Sequence, residues 1–222
     1  DEVSLAATPF GNLNGVGQYL EAEGIIPAGS SALIPAVNVS RTGYREQDVT
    51  TYKAASGKAD FSLNYRPTGG DLELVWNSKF GFGRTIYQGA NRYQLDNFLM
   101  QQHKLELRSK DFFVRGYMTA EDAGDSYDMR FTGINLAKIN AEEWFGTYAG
   151  TYLQSVIGGA TDAQAHAGAR LQADDAYTLQ PGTAEFNAAY DQIIDNPDVN
   201  EGSKFVDQTK MYVGEGNYNF RS

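Results

Sequence analysis

Between Asp60 and Arg66 the chain alternates without a break: Phe61, Leu63 and Tyr65 fall on one side, Ser62, Asn64 and Arg66 on the other. Successive side chains of an extended strand point to opposite faces, so this period of two predicts a strand. Pro67-Thr68-Gly69-Gly70 predicts a turn, with proline fixing φ and the glycines supplying positive φ. The alternation resumes with Leu72, Leu74, Trp76, Phe80 and Phe82 against Glu73, Asn77 and Lys79, with Val75 and Ser78 as the exceptions. It returns from Leu95 to Arg108, where Leu99, Leu105 and Leu107 oppose Gln102, Lys104, Glu106 and Arg108, and Gln101 and His103 interrupt the apolar side. Ser109-Lys110-Asp111 turns the chain, after which Phe112, Val114 and Met118 oppose Arg115, Thr119 and Glu121. A fifth run, Lys210 to Arg221, sets Tyr212, Tyr218 and Phe220 against Glu215, Asn217 and Asn219.

The pattern changes near Glu121. Residues 121–209 are too many for a plain connection and should carry structure of their own. Leu136, Ile139, Trp144, Phe145, Tyr148, Tyr152 and Val156 recur at three- and four-residue spacing, which predicts a helix over 134–157, stopped by Gly158-Gly159. Thr161 reads as the N-cap of an Ala-rich helix through about Ala173. Pro181-Gly182-Thr183 opens a third helix, with Phe186, Tyr190 and Ile193 or Ile194 on one face. Residues 1–48, broken by Gly, Ala, Pro and Asn, read as irregular loop with one short helix near Gly15–Glu23. The expected organisation is therefore an irregular region (1–48), strands (49–120), a helical loop (121–209) and a further strand (210–222).

Strands of ordinary soluble sheets run about 5–6 residues. Those read here are longer, and their polar sides carry full charges. A strand crossing a membrane needs about 9–11 residues, apolar towards lipid and polar towards the lumen. Tight turns (67–70, 109–111) alternate with long connections (83–94, 121–209), as in outer-membrane barrels. The fold expected is an antiparallel transmembrane β-barrel segment of about five long strands, carrying a largely helical extracellular loop. A soluble sheet with one wet face is the alternative.

Composition narrows the function classes. Of 222 residues 24 are Gly and 14 Tyr, the net charge is −10, and there is no cysteine. Disulfides, thiolate metal sites and cysteine catalysis are thereby excluded. An acidic chain lacks the basic face that phosphates require, so no nucleic-acid partner is expected. The charge is segregated: residues 121–208 hold 15 acidic and 4 basic residues, and residues 49–120 hold 6 and 10. No run approaches the roughly 18 apolar residues of a spanning helix. No basic and apolar leader stands at Asp1, which reads as a mature terminus or as part of something longer.

Catalytic signatures are scarce, and no enzyme is expected. Gly57-Lys58 has Tyr52 where a phosphate loop requires glycine, and Gly81-Phe82-Gly83 lacks the third glycine and following helix of a dinucleotide site. There is no G-x-S-x-G elbow. His103 and His166 lack the paired spacing of a zinc site. Glu142 and Glu143 are helix neighbours pointing in different directions, unlike the opposed carboxylates of a glycosidase. The run Glu121-Asp122-Ala123-Gly124-Asp125-Ser126-Tyr127-Asp128 is oxygen-rich and interrupted by glycine. Asp122, Asp125 and Asp128 could hold calcium, a hard cation taking six to eight oxygens, but the spacing is not that of an EF-hand, and a solvated acidic loop is the preferred reading.

Several strings resemble the TonB-dependent outer-membrane receptors of Bacteroidetes-type bacteria. They are Arg41-Thr42-Gly43-Tyr44, Leu63-Asn64-Tyr65-Arg66-Pro67, the run from Phe80-Gly81-Phe82-Gly83-Arg84 to Tyr93, Gln102-His103-Lys104-Leu105-Glu106, Arg115-Gly116-Tyr117-Met118-Thr119, Ala123 to Asp128, and Glu215-Gly216-Asn217-Tyr218-Asn219-Phe220. The resemblance spans about residues 41–222. It implies a cell-outer-membrane barrel of about 22 strands with a plug, energised through TonB and importing a scarce small-molecule, peptide or glycan ligand, with a surface lipoprotein as a further partner. Five strands cannot close such a barrel, so the chain reads as a segment of a longer receptor. Leu72, Leu74, Trp76, Leu105, Leu107, Phe112 and Val114 should then face lipid. Glu73, Lys79, Lys104, Glu106, Arg108, Arg115 and Glu215 should face the lumen. Tyr87, Arg92 and Tyr93 on an outer loop, and Trp144, Tyr148 and Tyr152 on the helices, are candidate ligand contacts; loop and helix packing is the competing account of these six. A surface-exposed binding module and a strand-donating structural subunit are the alternative functions.

Overall fold

The computed structural model describes residues 3–67 and 69–220. Thr68 of the first turn, Arg221 of the last strand and Asp1 lie outside them. The chain divides into two compact units, Asp1–Val49 with Arg130–Ile193, and Thr50–Met129 with Ile194–Ser222. The N-terminal residues thus belong with the helices instead of forming a region of their own.

In the second unit a meander of four long strands forms: β1 (Ala55–Tyr65), β2 (Glu73–Gln88), β3 (Arg92–Arg108) and β4 (Phe112–Asp122). A two-residue β5 (Tyr127–Asp128) pairs with β3, and β6 (Lys210–Tyr218) pairs with β4. All pairings are antiparallel, and the order is β1-β2-β3-β4-β6. The sheet is open, ending at β1 and β6, so these strands do not close a barrel among themselves. Register follows the sequence alternation: Leu63, Trp76, Leu105, Gly116 and Gly214 stand in one cross-strand row. The row Val75, Glu106, Arg115, Glu215 stands on the opposite face.

Two strand boundaries depart from the reading of the sequence. Residues 83–94, expected as a long connection, are the tip of the β2–β3 hairpin, closed by a short turn in which Gly89 N–H donates to the Asn91 carbonyl at 2.9 Å. The register shifts between Gly83 and Thr85. The extra residue lies on β3, where Leu95 to Phe98 takes three steps against two on β2, and it moves the β3 side chains nearer the tip out of the period-two frame. Asn97 adds a left-handed residue within β3, at φ 51°.

The first unit is helical: α1 (Leu13–Ala22), α2 (Met129–Lys138), α3 (Ala141–Ile157), α4 (Asp162–Tyr177) and α5 (Ala184–Asp195). The single helix expected over 134–157 is broken at Asn140, whose φ of 57° puts it in the left-handed region that asparagine tolerates. Asn12, Thr161 and Thr183 accept N–H bonds at the starts of α1, α4 and α5. One core cluster joins Leu13, Val16 and Leu20 of α1 with Trp144, Phe145, Tyr148 and Tyr152 of α3 and Ala165, Ala169 and Ala173 of α4. A second holds Val49, Leu136, Phe186 and Ile193. Among the described residues both hydrophobic clusters lie in this unit; the sheet has none.

Candidate functional site

The sheet is unusual in which side it hides. Glu106, on the charged face, is only 6% exposed, whereas Leu105, its neighbour on the apolar face, is 55% exposed. Phe61, Leu63, Tyr65, Trp76, Phe82, Val114, Tyr212 and Tyr218 are exposed on the apolar side too. A soluble sheet with one wet face has the opposite arrangement. Exposed apolar surface of this extent is characteristic of interaction sites, whether with protein or with membrane.

On the other face the charges form a chain. Arg108 donates two hydrogen bonds to Glu73, at 3.0 and 2.9 Å, and Arg66 lies 3.7 Å from the same carboxylate. Glu106 is surrounded by Lys104 at 3.2 Å, Arg108 at 3.6 Å and Arg115 at 3.8 Å. Arg115 also donates to Glu215 at 2.9 and 2.5 Å. Further along, Lys79 pairs with Asp60 at 3.4 Å. All seven residues expected on the lumen side thus share one face, set there by the pleat and the register. A buried carboxylate is costly unless paired, and three cations around Glu106 supply the pairing.

The three polar breaks in the apolar face, Ser78, Gln101 and His103, also make physical sense. Ser78 and His103 are direct cross-strand partners. Ser78 Oγ and His103 Nδ1 lie 2.9 Å apart, and His103 Nε2 lies 3.4 Å from Gln101 Oε1. Polar groups on an apolar face are tolerable when they satisfy one another. The sequence flagged each residue singly; only register brings them together.

Tyr87, Arg92 and Tyr93 flank the hairpin tip on the strand ends of β2 and β3, not on a long loop. Tyr87 and Tyr93 are paired across the strands with ring centroids 6.3 Å apart, and Tyr93 meets Phe205 at 5.2 Å. The Tyr87 side chain stays exposed. The acidic loop below them is held by separate contacts. Asp122 accepts from Gly124 N–H, Asp125 from the Asn97 amide and Asp128 from the Asn91 amide, at 2.9, 2.6 and 2.6 Å. Among the described residues no group of three or more His, Cys, Asp or Glu side chains is placed to hold a metal ion.

The other three candidate contacts are buried. Trp144, Tyr148 and Tyr152 form one column on α3, packed against Asp162, His166, Arg170 and Asp174 on α4. Tyr152 OH donates to Asp162 at 2.7 Å, Tyr148 OH lies 3.0 Å from His166 Nδ1, and Trp144 Nε1 donates to Asp174 at 2.9 Å. The Arg170 guanidinium covers the Trp144 and Tyr148 rings at 5.6 and 5.7 Å. A spacing of four residues on both helices creates this match. The ladder ties α3 to α4, and its rings are closed to an outside ligand in this arrangement.

Burial, with Asp162 holding the hydroxyl hydrogen, pushes the Tyr152 phenol up to about 12. The neutral phenol is therefore the form that folding favours. Its contribution is complete below the ordinary tyrosine value near 10 and is lost as pH rises from about 10 to 12. Spectrophotometric titration of the folded chain should show a phenolate component near pH 12 that Tyr152→Phe removes. A titration with no component above about pH 11 would exclude this assignment.

Arg41, absent from the candidate site residues, ties elements of the helical unit together. Arg41 is 5% exposed, and its Nη1 donates to the carbonyls of Ala137, at 2.6 Å, and Ile139, while Nη2 donates to that of Tyr177 at 2.6 Å. These carbonyls lie at the ends of α2 and α4, where helices have unsatisfied acceptors and a negative dipole end. Burial draws the guanidinium below its ordinary value, and Tyr44, Asp174 and Glu143 offset part of that. Thr42 donates to Asp174 at 2.8 Å and Tyr44 to the Leu179 carbonyl at 3.0 Å, so Arg41, Thr42 and Tyr44 all anchor to the helical unit.

No protein-family model, curated protein or solved structure matches the chain.

Proposed function

We propose that the chain is a segment of the wall of a transmembrane β-barrel in the bacterial outer membrane, and that the whole protein is an importer of the TonB-dependent type. The observation that carries the membrane reading is the inverted sheet, with Leu105 exposed and Glu106 buried on adjacent positions. Water on both sides would leave the apolar face without a partner. Lipid on the Leu105 side and a polar lumen on the Glu106 side suit both faces. Strand lengths agree: β1, β4 and β6 have 11, 11 and 9 residues, against the 9–11 of a tilted membrane strand. At 16 and 17 residues, β2 and β3 extend beyond that thickness, which would carry Tyr87, Arg92 and Tyr93 outside the bilayer. The open ends at β1 and β6 then call for further strands, because unpaired backbone groups in lipid cost several kcal/mol each.

The importer assignment rests on the sequence resemblance stated above, with Tyr87, Arg92 and Tyr93 as ligand contacts and the seven charged residues lining the lumen. The test is the mass and location of the native polypeptide. Immunoblots of separated envelope fractions, followed by intact-mass measurement, should find it in the outer membrane at several times 24.3 kDa. A water-soluble polypeptide near 24.3 kDa would refute the proposal.

A further inference from the structure

Followed from the tight turns towards the hairpin tip, the apolar face of the sheet changes character at one row. Leu74, Leu107 and Val114 stand together, then Trp76 and Leu105, then His103, Met118 and Tyr212. The next row is Phe80, Gln101, Ala120 and Lys210. Within the strands, Lys210 is the first lysine or arginine met on that face among the described residues. The apolar band therefore ends here, one row beyond Tyr212, and an aromatic residue at such a margin is usual in barrels.

At this row the face is hollow. Ala120 is too short to fill the space between its neighbours, and a pocket of about 280 Å³ opens over it. Leu99 and Gln101 of β3 stand on one side, Gln208 and Lys210 on the other, and Asp122 lies at the end nearer the hairpin tip. The polar groups here do not neutralise one another. Lys210 forms no ion pair among the described residues. Asp122 stands on its diagonal across adjacent strands, a backbone separation of about 7–8 Å, and accepts only from the Gly124 N–H. Gln101 Oε1 meets His103 Nε2 at 3.4 Å, which leaves the Gln101 amide nitrogen for the pocket. One row closer to the turns an apolar groove begins, lined by Trp76, Leu105, Met118 and Tyr212 among others. A cation, a carboxylate and two amides set at the end of an apolar groove match the outline of a single amphiphile.

We infer that this site holds the head group of a phosphorylated glycolipid, with an acyl chain lying in the groove. The Lys210 ammonium binds the phosphate by charge-assisted hydrogen bonds, and Asp122, Gln101 and Gln208 bind sugar hydroxyls. A head group of phosphate alone would meet Asp122 as a like charge, whereas a hydroxyl donates to it. The level also fits. In a barrel with short periplasmic turns the hairpin tip faces outward, and the outer leaflet of that membrane is built of acylated, phosphorylated sugars. The inference rests on the membrane reading and adds which lipid is held, and where.

The whole native receptor, extracted in detergent and stripped of lipid, is titrated with monophosphoryl lipid A and read by native mass spectrometry. One molecule should be retained, and Lys210→Gln should weaken binding about tenfold, as expected for losing one charge-assisted bond. Gln208→Ala should weaken it less. Lys58→Gln, opposite Gly81 on the charged face, should leave it unchanged. All three positions are exposed, so the variants should keep the heat-resistant fold of the parent. Equal retention by parent and Lys210→Gln would overturn the inference. So would equal binding of phosphatidic acid, which offers phosphate without a sugar. A receptor that sits in the outer membrane and retains no glycolipid would overturn it and leave the membrane reading standing. A water-soluble native polypeptide would remove both.

Discussion

If the apolar face lies against lipid as proposed, the Leu105→Lys variant is expected to lose about 2–4 kcal/mol of folding stability in phospholipid vesicles, the cost of a cation near the bilayer midplane. Leu105 stands in a row with Gly116 and with Gly214, the middle residue of the nine in β6. Leu74→Lys, one row closer to the tight turns, should cost less, because the penalty falls towards 0–1 kcal/mol near the interface. Asn77→Lys points to the other face, where the Asn77 amide already donates to Asp60 at 2.6 Å. A lysine there keeps the carboxylate as partner, and the change should stay within about 1 kcal/mol. Urea unfolding in vesicles, read by tryptophan fluorescence, gives all three values. Equal costs at 105 and 77 would sink the orientation. A soluble sheet would tolerate Leu105→Lys almost freely, since the side chain is already exposed.

The second large effect lies in the helical unit. Arg41→Met keeps most of the side-chain volume and removes every donor. The Ala137, Ile139 and Tyr177 carbonyls, now bonded to the guanidinium, would be left bare at the ends of α2 and α4. Hydrogen bonds to charged groups contribute about 1.5–3 kcal/mol each, and stranded buried acceptors add a desolvation cost. Because the charge itself was expensive to bury, part of this is recovered when it goes. A net loss of about 3–5 kcal/mol is expected, read as a fall in the helical circular-dichroism melting transition. Arg41→Lys should recover only part of the loss, because an ammonium cannot span carbonyls from two helix ends as a planar guanidinium does. A loss below about 1 kcal/mol for Arg41→Met would show that the contacts are not stabilising.

Strands were legible wherever the pleat was regular. Phe61–Tyr65, Leu74–Phe82, Leu105–Leu107 and Phe112–Met118 fall on the expected faces because one face of the sheet is predominantly apolar. Legibility failed where the backbone departed from its period. The bulge in β3, where Leu95 to Phe98 takes three steps against two from Thr85 to Gly83, reversed the alternation between Phe98 and Leu95, and the left-handed Asn140 split a helix whose apolar spacing ran through it unbroken. Ser78 and His103 read as two isolated defects, since nothing local says they are opposite each other. Arg41 gave no signal of its role: its partners lie 96 to 136 residues away, and a basic residue in an irregular stretch reads as solvent-exposed. The aromatic column of α3 was seen, but the matching Asp162, His166, Arg170 and Asp174 column was not, because the charged residues carry no hydrophobic period.

The insertion of most of the helical unit between β4 and β6 has a consequence for how the sheet assembles. β1 to β4 pair with their neighbours in sequence, so their ladders close short loops. Pairing β6 with β4 must instead bring together segments separated by roughly 90 residues. For a flexible chain that closure would cost on the order of 4 kcal/mol in entropy. A folded helical segment in the excursion shortens the effective loop, so the order of events matters: helices first, last strand afterwards. The acidic insert is in that sense a folding spacer as well as a surface feature, and the pairing of β6 is the step that depends on it.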